Sequence, residues 1–121
     1  MRILGIDYGT KKVGIALNSE NLAVASEVLP NDSNLINNLL SIIAREEVAK
    51  IIVGWPVSLK GKETKTTQKV EEFITRLDQH LDLPIIKIDE RLTTRIVGKN
   101  TSNKDKHSAA QILQTYLDQQ H

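Results

Sequence analysis

Apolar positions along the chain fall into short blocks, and their period changes from one block to the next. Residues 3–7 and 13–17 are brief runs rich in Ile, Val and Leu. Separated by Gly9 and Thr10, they predict two strands joined as a hairpin. Residues 23–29 predict a third strand closed by Pro30, after which Asn31, Asp32 and Ser33 are residue types suited to capping a helix. Leu35, Ile36, Leu39, Leu40, Ile42 and Ile43 recur at three-to-four spacing and place one apolar stripe on a helix ending near Glu47. Residues 50–53, halted by Gly54-Trp55-Pro56, predict a central strand buried on both faces. A polar, basic stretch over 58–66 reads as a loop. Val70, Phe73, Ile74, Leu77 and Leu81 then mark a second amphipathic helix, and 84–88 the last strand. After a polar segment over 98–104, Ala109, Ala110, Ile112, Leu113, Tyr116 and Leu117 define a final helix, with Phe73 and Tyr116 read as core.

The order is a three-strand antiparallel meander followed by helix, strand, helix, strand, helix. It predicts an α/β protein with a mixed five-stranded sheet, the meander plus two parallel strands, and helices on both faces. In such sheets the binding crevice lies beyond the carboxyl ends of the parallel strands. With 121 residues and no repeat or linker, one domain over 1–121 is expected.

Composition narrows the chemistry. The chain has no cysteine, which excludes thiolate zinc sites, thiol nucleophiles and a disulfide scaffold. Three scattered histidines in no paired spacing argue against a His-based zinc site, so any metal must sit on oxygen ligands. Ser58 and Thr93 have no base at triad-like spacing, which leaves covalent catalysis unsupported. No apolar run approaches the roughly 18 residues that a membrane span needs, and residues 1–5 lead straight into strand-like sequence. A cytoplasmic protein with no membrane partner is expected.

Unusual residues gather at the predicted carboxyl ends of the strands. Asp7 closes the first strand, Asp89 and Glu90 close the last, and Asp105 stands at the start of the final helix. Such a carboxylate cluster suits one or two hard divalent cations, Mg²⁺ or Mn²⁺, and two ions roughly 4 Å apart would clamp the attacking and leaving oxygens of a phosphodiester. Strand alternation allows only one of Asp89 and Glu90 to face the site if both continue the strand. Each acid also has an ordinary reading: Asp7 as a turn residue, Asp105 as a helix N-cap, and Asp89 or Glu90 as a partner of Arg91.

Charge distribution adds a second signal. The net charge is +1, yet the predicted crevice loops hold ten of 16 basic residues and five of 15 acids, a net +5 there against −4 elsewhere. Lys11, Lys12, Lys60, Arg91 and Lys106 are among the ten. Positive loops around an acidic pocket suit a phosphate backbone held by Lys and Arg while metal ions occupy the carboxylates. Trp55 is placed either to stack a base at the crevice lip or to pack beneath it, and His107 to orient a water or to serve the helix end.

At these residues the sequence resembles the YqgF family. The resemblance rests on four ordered blocks: Ile6-Asp7-Tyr8-Gly9-Thr10-Lys11-Lys12-Val13-Gly14-Ile15-Ala16, Val53-Gly54-Trp55-Pro56-Val57-Ser58, Asp89-Glu90-Arg91-Leu92-Thr93-Thr94, and Asp105 through Ala109-Ala110-Gln111-Ile112-Leu113 to Leu117. It implies a ribonuclease H-like fold and a nuclease that matures the 5′ end of pre-16S ribosomal RNA, or one that resolves four-way DNA junctions. It puts Asp7, Glu90 and Asp105 on the family's acidic metal-binding positions. Lys12 stands where an Arg is common; Lys still contacts phosphate but without bidentate geometry. Between Thr94 and Asp105 the chain is shorter than the family pattern. Lys12, Arg91 and Lys106 are assigned to phosphate, Arg91 alternatively to orienting Glu90.

Three function classes follow. The first is a metal-dependent endonuclease acting on pre-ribosomal RNA or on four-way DNA, as a monomer or weak homodimer, with junction resolution calling for the dimer. The second is an RNA-binding module that does not cut. The third, an actin-like ATPase suggested by Asp7-Tyr8-Gly9-Thr10, needs two lobes and far more chain.

Overall fold

Strands β1 (Arg2–Tyr8) and β4 (Val48–Trp55) are apolar on both faces because both lie inside the sheet, whose order is β3-β2-β1-β4-β5. β2 (Lys12–Ser19) and β3 (Leu22–Pro30) complete the antiparallel meander, while β5 (Ile85–Asp89) forms the far edge. β1 pairs with β4, and β4 with β5, in parallel. Helices α1 (Leu35–Arg45), α2 (Lys65–Asp78) and α3 (Lys104–Gln119) supply the cover. This computed structural model describes residues 1–56, 61–90 and 104–120, with side chains in the last stretch from Ser108 onward. The mixed sheet of a meander plus two parallel strands is the predicted architecture.

Successive side chains on a strand point to opposite faces, and this alternation divides the core. Leu4, Ile6, Ile15, Ile51 and Val53 meet Leu35 and Leu39 of α1 and Val70, Phe73 and Leu77 of α2. On the other face Ile3, Ala16, Ile52 and Ile88 meet Ala109, Ile112, Leu113 and Tyr116 of α3. Phe73 and Tyr116 are both buried, as their helical spacing predicts. α3 lies close to the sheet. A β-carbon on Gly5 would stand 2.8 Å from Leu113 Cβ and 3.0 Å from the Ala109 carbonyl, so only glycine lets the helix rest there.

Several boundaries differ from the sequence expectation. α2 starts at Lys65, within the stretch read as loop, because Thr64 and Thr67 form a reciprocal cap. Thr64 Oγ1 accepts from the Thr67 N–H at 3.3 Å, and Thr67 Oγ1 accepts from the Thr64 N–H at 2.9 Å. Leu81 lies beyond the helix end, packed against the core. α1 is capped at Asn34 without a side-chain bond. Of the three expected capping residues, Asp32 instead accepts from the Asn34 N–H at 2.9 Å, and Asn31 turns toward the hairpin. α3 starts at Lys104, so Asp105 belongs to its first turn. The rest of the 98–104 segment lies outside the described residues, as do Ser58 and Thr93.

At the outer edge of β3, Gln114 of α3 accepts from the Ala23 N–H at 2.8 Å and donates to the Asn21 carbonyl at 3.1 Å. Leu22 and Val24 beside it are exposed. No helix among the described residues is long and apolar enough to cross a membrane.

Candidate active site

Asp7 is the penultimate residue of β1, on the face that carries Ile3 and Gly5 toward α3. Continuing the parallel register from Ile6 opposite Val53 sets it beside Gly54 of β4. Glu90 follows β5 directly, and alternation from Ile86 and Ile88 points it to the same face. The two acids therefore stand on either side of β4, and their side chains are hydrogen-bonded to each other.

Burial of the Glu90 carboxyl pushes its pKa above the ordinary 4.5. The hydrogen bond from Asp7 pulls it back, and the negative charge of Asp89 pushes it up again. Asp89 itself pairs in register with Trp55 and belongs to the opposite face. Of the two acids that close β5, Glu90 is thus the one facing Asp7.

Gly54 occupies the space between the acids. A β-carbon there would lie 2.5 Å from Glu90 Oε1, 3.1 Å from Glu90 Cγ and 2.6 Å from Ile112 Cδ1. Sequence reading took Gly54 only as the end of a strand. A glycine directly after the Ile51-Ile52-Val53 run was the available signal, since a glycine within a strand marks a close approach.

α3 runs with Ala109 and Leu113 over Gly5, while Tyr116 receives a 2.7 Å hydrogen bond from Lys50 Nζ near the start of β4. Its N-terminal end, which contains Asp105 and Lys106, therefore lies at the same end of the sheet as Asp7 and Glu90. Their side chains are outside the described set, as are residues Lys60 and Arg91 altogether. Among the described residues no group of three His, Cys, Asp or Glu converges, so the described part of the site is an oxygen-only carboxylate pair.

Lys11 and Lys12 sit exposed at the β1–β2 tip, beyond Asp7. Asn31 fixes this tip: its Nδ2 donates to the Gly9 carbonyl at 2.7 Å and its backbone N–H to the Lys11 carbonyl at 2.9 Å. A second anchor holds the exit of β4, where the buried Thr67 hydroxyl donates to the Pro56 carbonyl. Trp55 is not brought to the carboxylates. It packs on the α1/α2 side of the sheet, and Lys87 Nζ lies 4.1 Å from its ring centroid and 3.2 Å from Glu71. Tyr8 shares that face, stacked on Phe73 at 4.5 Å.

Residues 1–119 match the sequence profile of a family described as RuvX, Holliday junction resolvase. A protein of Maridesulfovibrio salexigens, provisionally named a pre-16S rRNA nuclease, is 36% identical over 132 residues, covering 97% of this chain and 98% of that one. A Sulfurihydrogenibium protein with the same provisional name is 35% identical over 130 residues, covering 97% and 90%. The 132 aligned positions exceed the 121 residues of this chain, so the first relative carries residues that this chain lacks. Among solved structures, Thermus thermophilus RuvC in complex with Holliday junction substrate superposes with a TM-score of 0.70 at 12% identity, covering 99% of this chain and 95% of that one. The fowlpox virus Holliday junction resolvase gives 0.57 at 13% identity, covering 98% and 99%.

Proposed function

The chain belongs to the RuvX family of Holliday junction resolvases, the YqgF family of the sequence resemblance, and from that membership we propose a divalent-metal-dependent endonuclease whose substrate is the 5′ leader of pre-16S ribosomal RNA. It has the ribonuclease H-like fold and is a nuclease by family. The carrying observation is the hydrogen-bonded Asp7–Glu90 pair at the carboxyl ends of the parallel strands.

The donor set fits a hard divalent ion, Mg²⁺ or Mn²⁺. Both groups are carboxylates, they already meet, and no sulfur or imidazole competes among them. Asp7 and Glu90 would hold the ion, with Asp105 in the first turn of α3 as the third acid. When bound there, such an ion supplies Lewis acidity and charge neutralisation at a phosphodiester. The chain's own contribution is to seat the substrate. Lys11 and Lys12, on a tip pinned by Asn31, together with Lys60, Arg91 and Lys106, are the proposed phosphate contacts. Trp55, held beneath Lys87, is proposed to pack the exit of β4. Relatives matching across nearly the whole chain support the ribosomal substrate, which would place the work in the cytoplasm.

The test is cleavage of a labelled pre-16S 5′ leader RNA beside a four-way DNA junction, in Mg²⁺ or Mn²⁺, with Asp7→Asn as control. Metal-dependent cutting of the RNA, reduced at least 100-fold by Asp7→Asn, is expected, since the variant removes a ligand charge. Symmetric cutting of the junction alone would assign the substrate to DNA. Salt-sensitive RNA binding without cutting, equal in both proteins, would assign a binding module.

A further inference from the structure

β4 lies between β1 and β5, so Glu90 and Asp7 can meet only across position 54. Neighbouring strands stand about 4.8 Å apart, and a side chain at 54 on this face would rise between the two carboxyls. Gly54 has none. Instead the Glu90 side chain lies in its place, with Oε1 and Cγ both inside the contact distance of the β-carbon that any other residue would carry.

We infer that Gly54 is a positioning residue of this site: the space left by its missing side chain is the seat from which Glu90 reaches Asp7. The inference rests on the reading of Asp7 and Glu90 as the metal-holding pair. It also accounts for the use of Glu at this position, because the carboxyl must extend over a whole strand from the end of β5.

A packing role competes with it, since the same β-carbon would meet Ile112 Cδ1 of α3. The two neighbours respond differently. Ile112 is buried within a close-packed cluster and resists displacement, whereas Glu90 Oε1 is the far end of a longer side chain that can rotate away. A methyl group at 54 therefore strains the core through Ile112 but moves the carboxyl through Glu90, and the two effects can be separated.

The experiment compares wild type, Gly54→Ala, Ile112→Val and the double variant. Mn²⁺ binding is measured by titration calorimetry without substrate, metal-free stability by thermal unfolding, and RNA cleavage alongside. Ile112→Val deletes Cδ1, so folding of the double variant does not depend on that contact. Gly54→Ala is expected to weaken Mn²⁺ binding by about 10–100-fold and cleavage by about 100-fold. In the double variant the metal-free stability recovers while the Mn²⁺ affinity does not. Wild-type affinity in Gly54→Ala, or affinity that returns together with stability in the double variant, would overturn the inference and leave Gly54 a packing residue. Absence of Mn²⁺ binding by the wild type would instead remove the reading on which it rests, and the inference with it.

Discussion

Glu90 stands where its surroundings work against its charge. Burial and the Asp89 charge disfavour its ionised form, and the bond to Asp7 offsets only part of that. Its folded pKa lies above the unfolded value, so the folded state binds more protons than the unfolded one at pH values between the two. Stability contributed by the protonated group is present below the unfolded pKa and is lost as pH rises through the folded one. Glu90→Gln removes this penalty and keeps a polar group beside Asp7. In metal-free buffer the variant should match wild type near pH 4.5 and become progressively more stable than it as pH rises. Thermal unfolding of both proteins from pH 4.5 to 8 checks this, and a constant difference across the range would contradict it.

At the scale of elements, the α1–β4 junction carries a local cost. Glu47 follows the α1 cap with φ of 53°, a left-handed conformation in which glycine is the usual residue. Glu47→Gly should raise stability by about 1 kcal/mol, read as a higher urea midpoint with an unchanged slope. The apolar stripe of α1 was legible in the chain to within two residues, because Leu35, Leu39, Ile42 and Ile43 have no reason to recur at that spacing except to cover a sheet. The first turn of α2 was not. Thr64 and Thr67 carry no apolar period, and a reciprocal Thr–Thr cap is a weaker sequence mark than Ser or Thr followed by Glu. β4 also exceeds its apolar run, since pairing with β1 and β5 extends it to Val48 and Trp55.

Across the whole molecule, the candidate site was legible where chain position alone decides it. Asp7 and Glu90 end strands, and parallel strands put their carboxyl ends together, so the acids could be grouped before any strand order was known. The place of Gly54 depends on the order β1-β4-β5, which long crossovers establish and no local pattern encodes. Trp55 illustrates the same limit from the other side: its position at a strand end left stacking at the crevice lip and packing beneath it both open, and one step of alternation turns it to the far face, against the core.

The glutamine that reaches from α3 to the rim of β3 extends this to the behaviour of many copies in solution. By accepting from Ala23 and donating to Asn21, the amide of Gln114 makes the two bonds that a parallel strand would offer on either side of Leu22. It is a backbone impostor, filling the slot that a stray chain would need in order to add itself to the sheet beside exposed Leu22 and Val24. Gln114→Ala leaves the fold's core intact but vacates the slot, and light scattering across a concentration series should show self-association beginning at lower concentration than in wild type. Equal scattering by the two proteins would mean that the rim is guarded by something else. One side chain on a helix thus occupies the stretch of sheet rim at which a further strand would begin to pair.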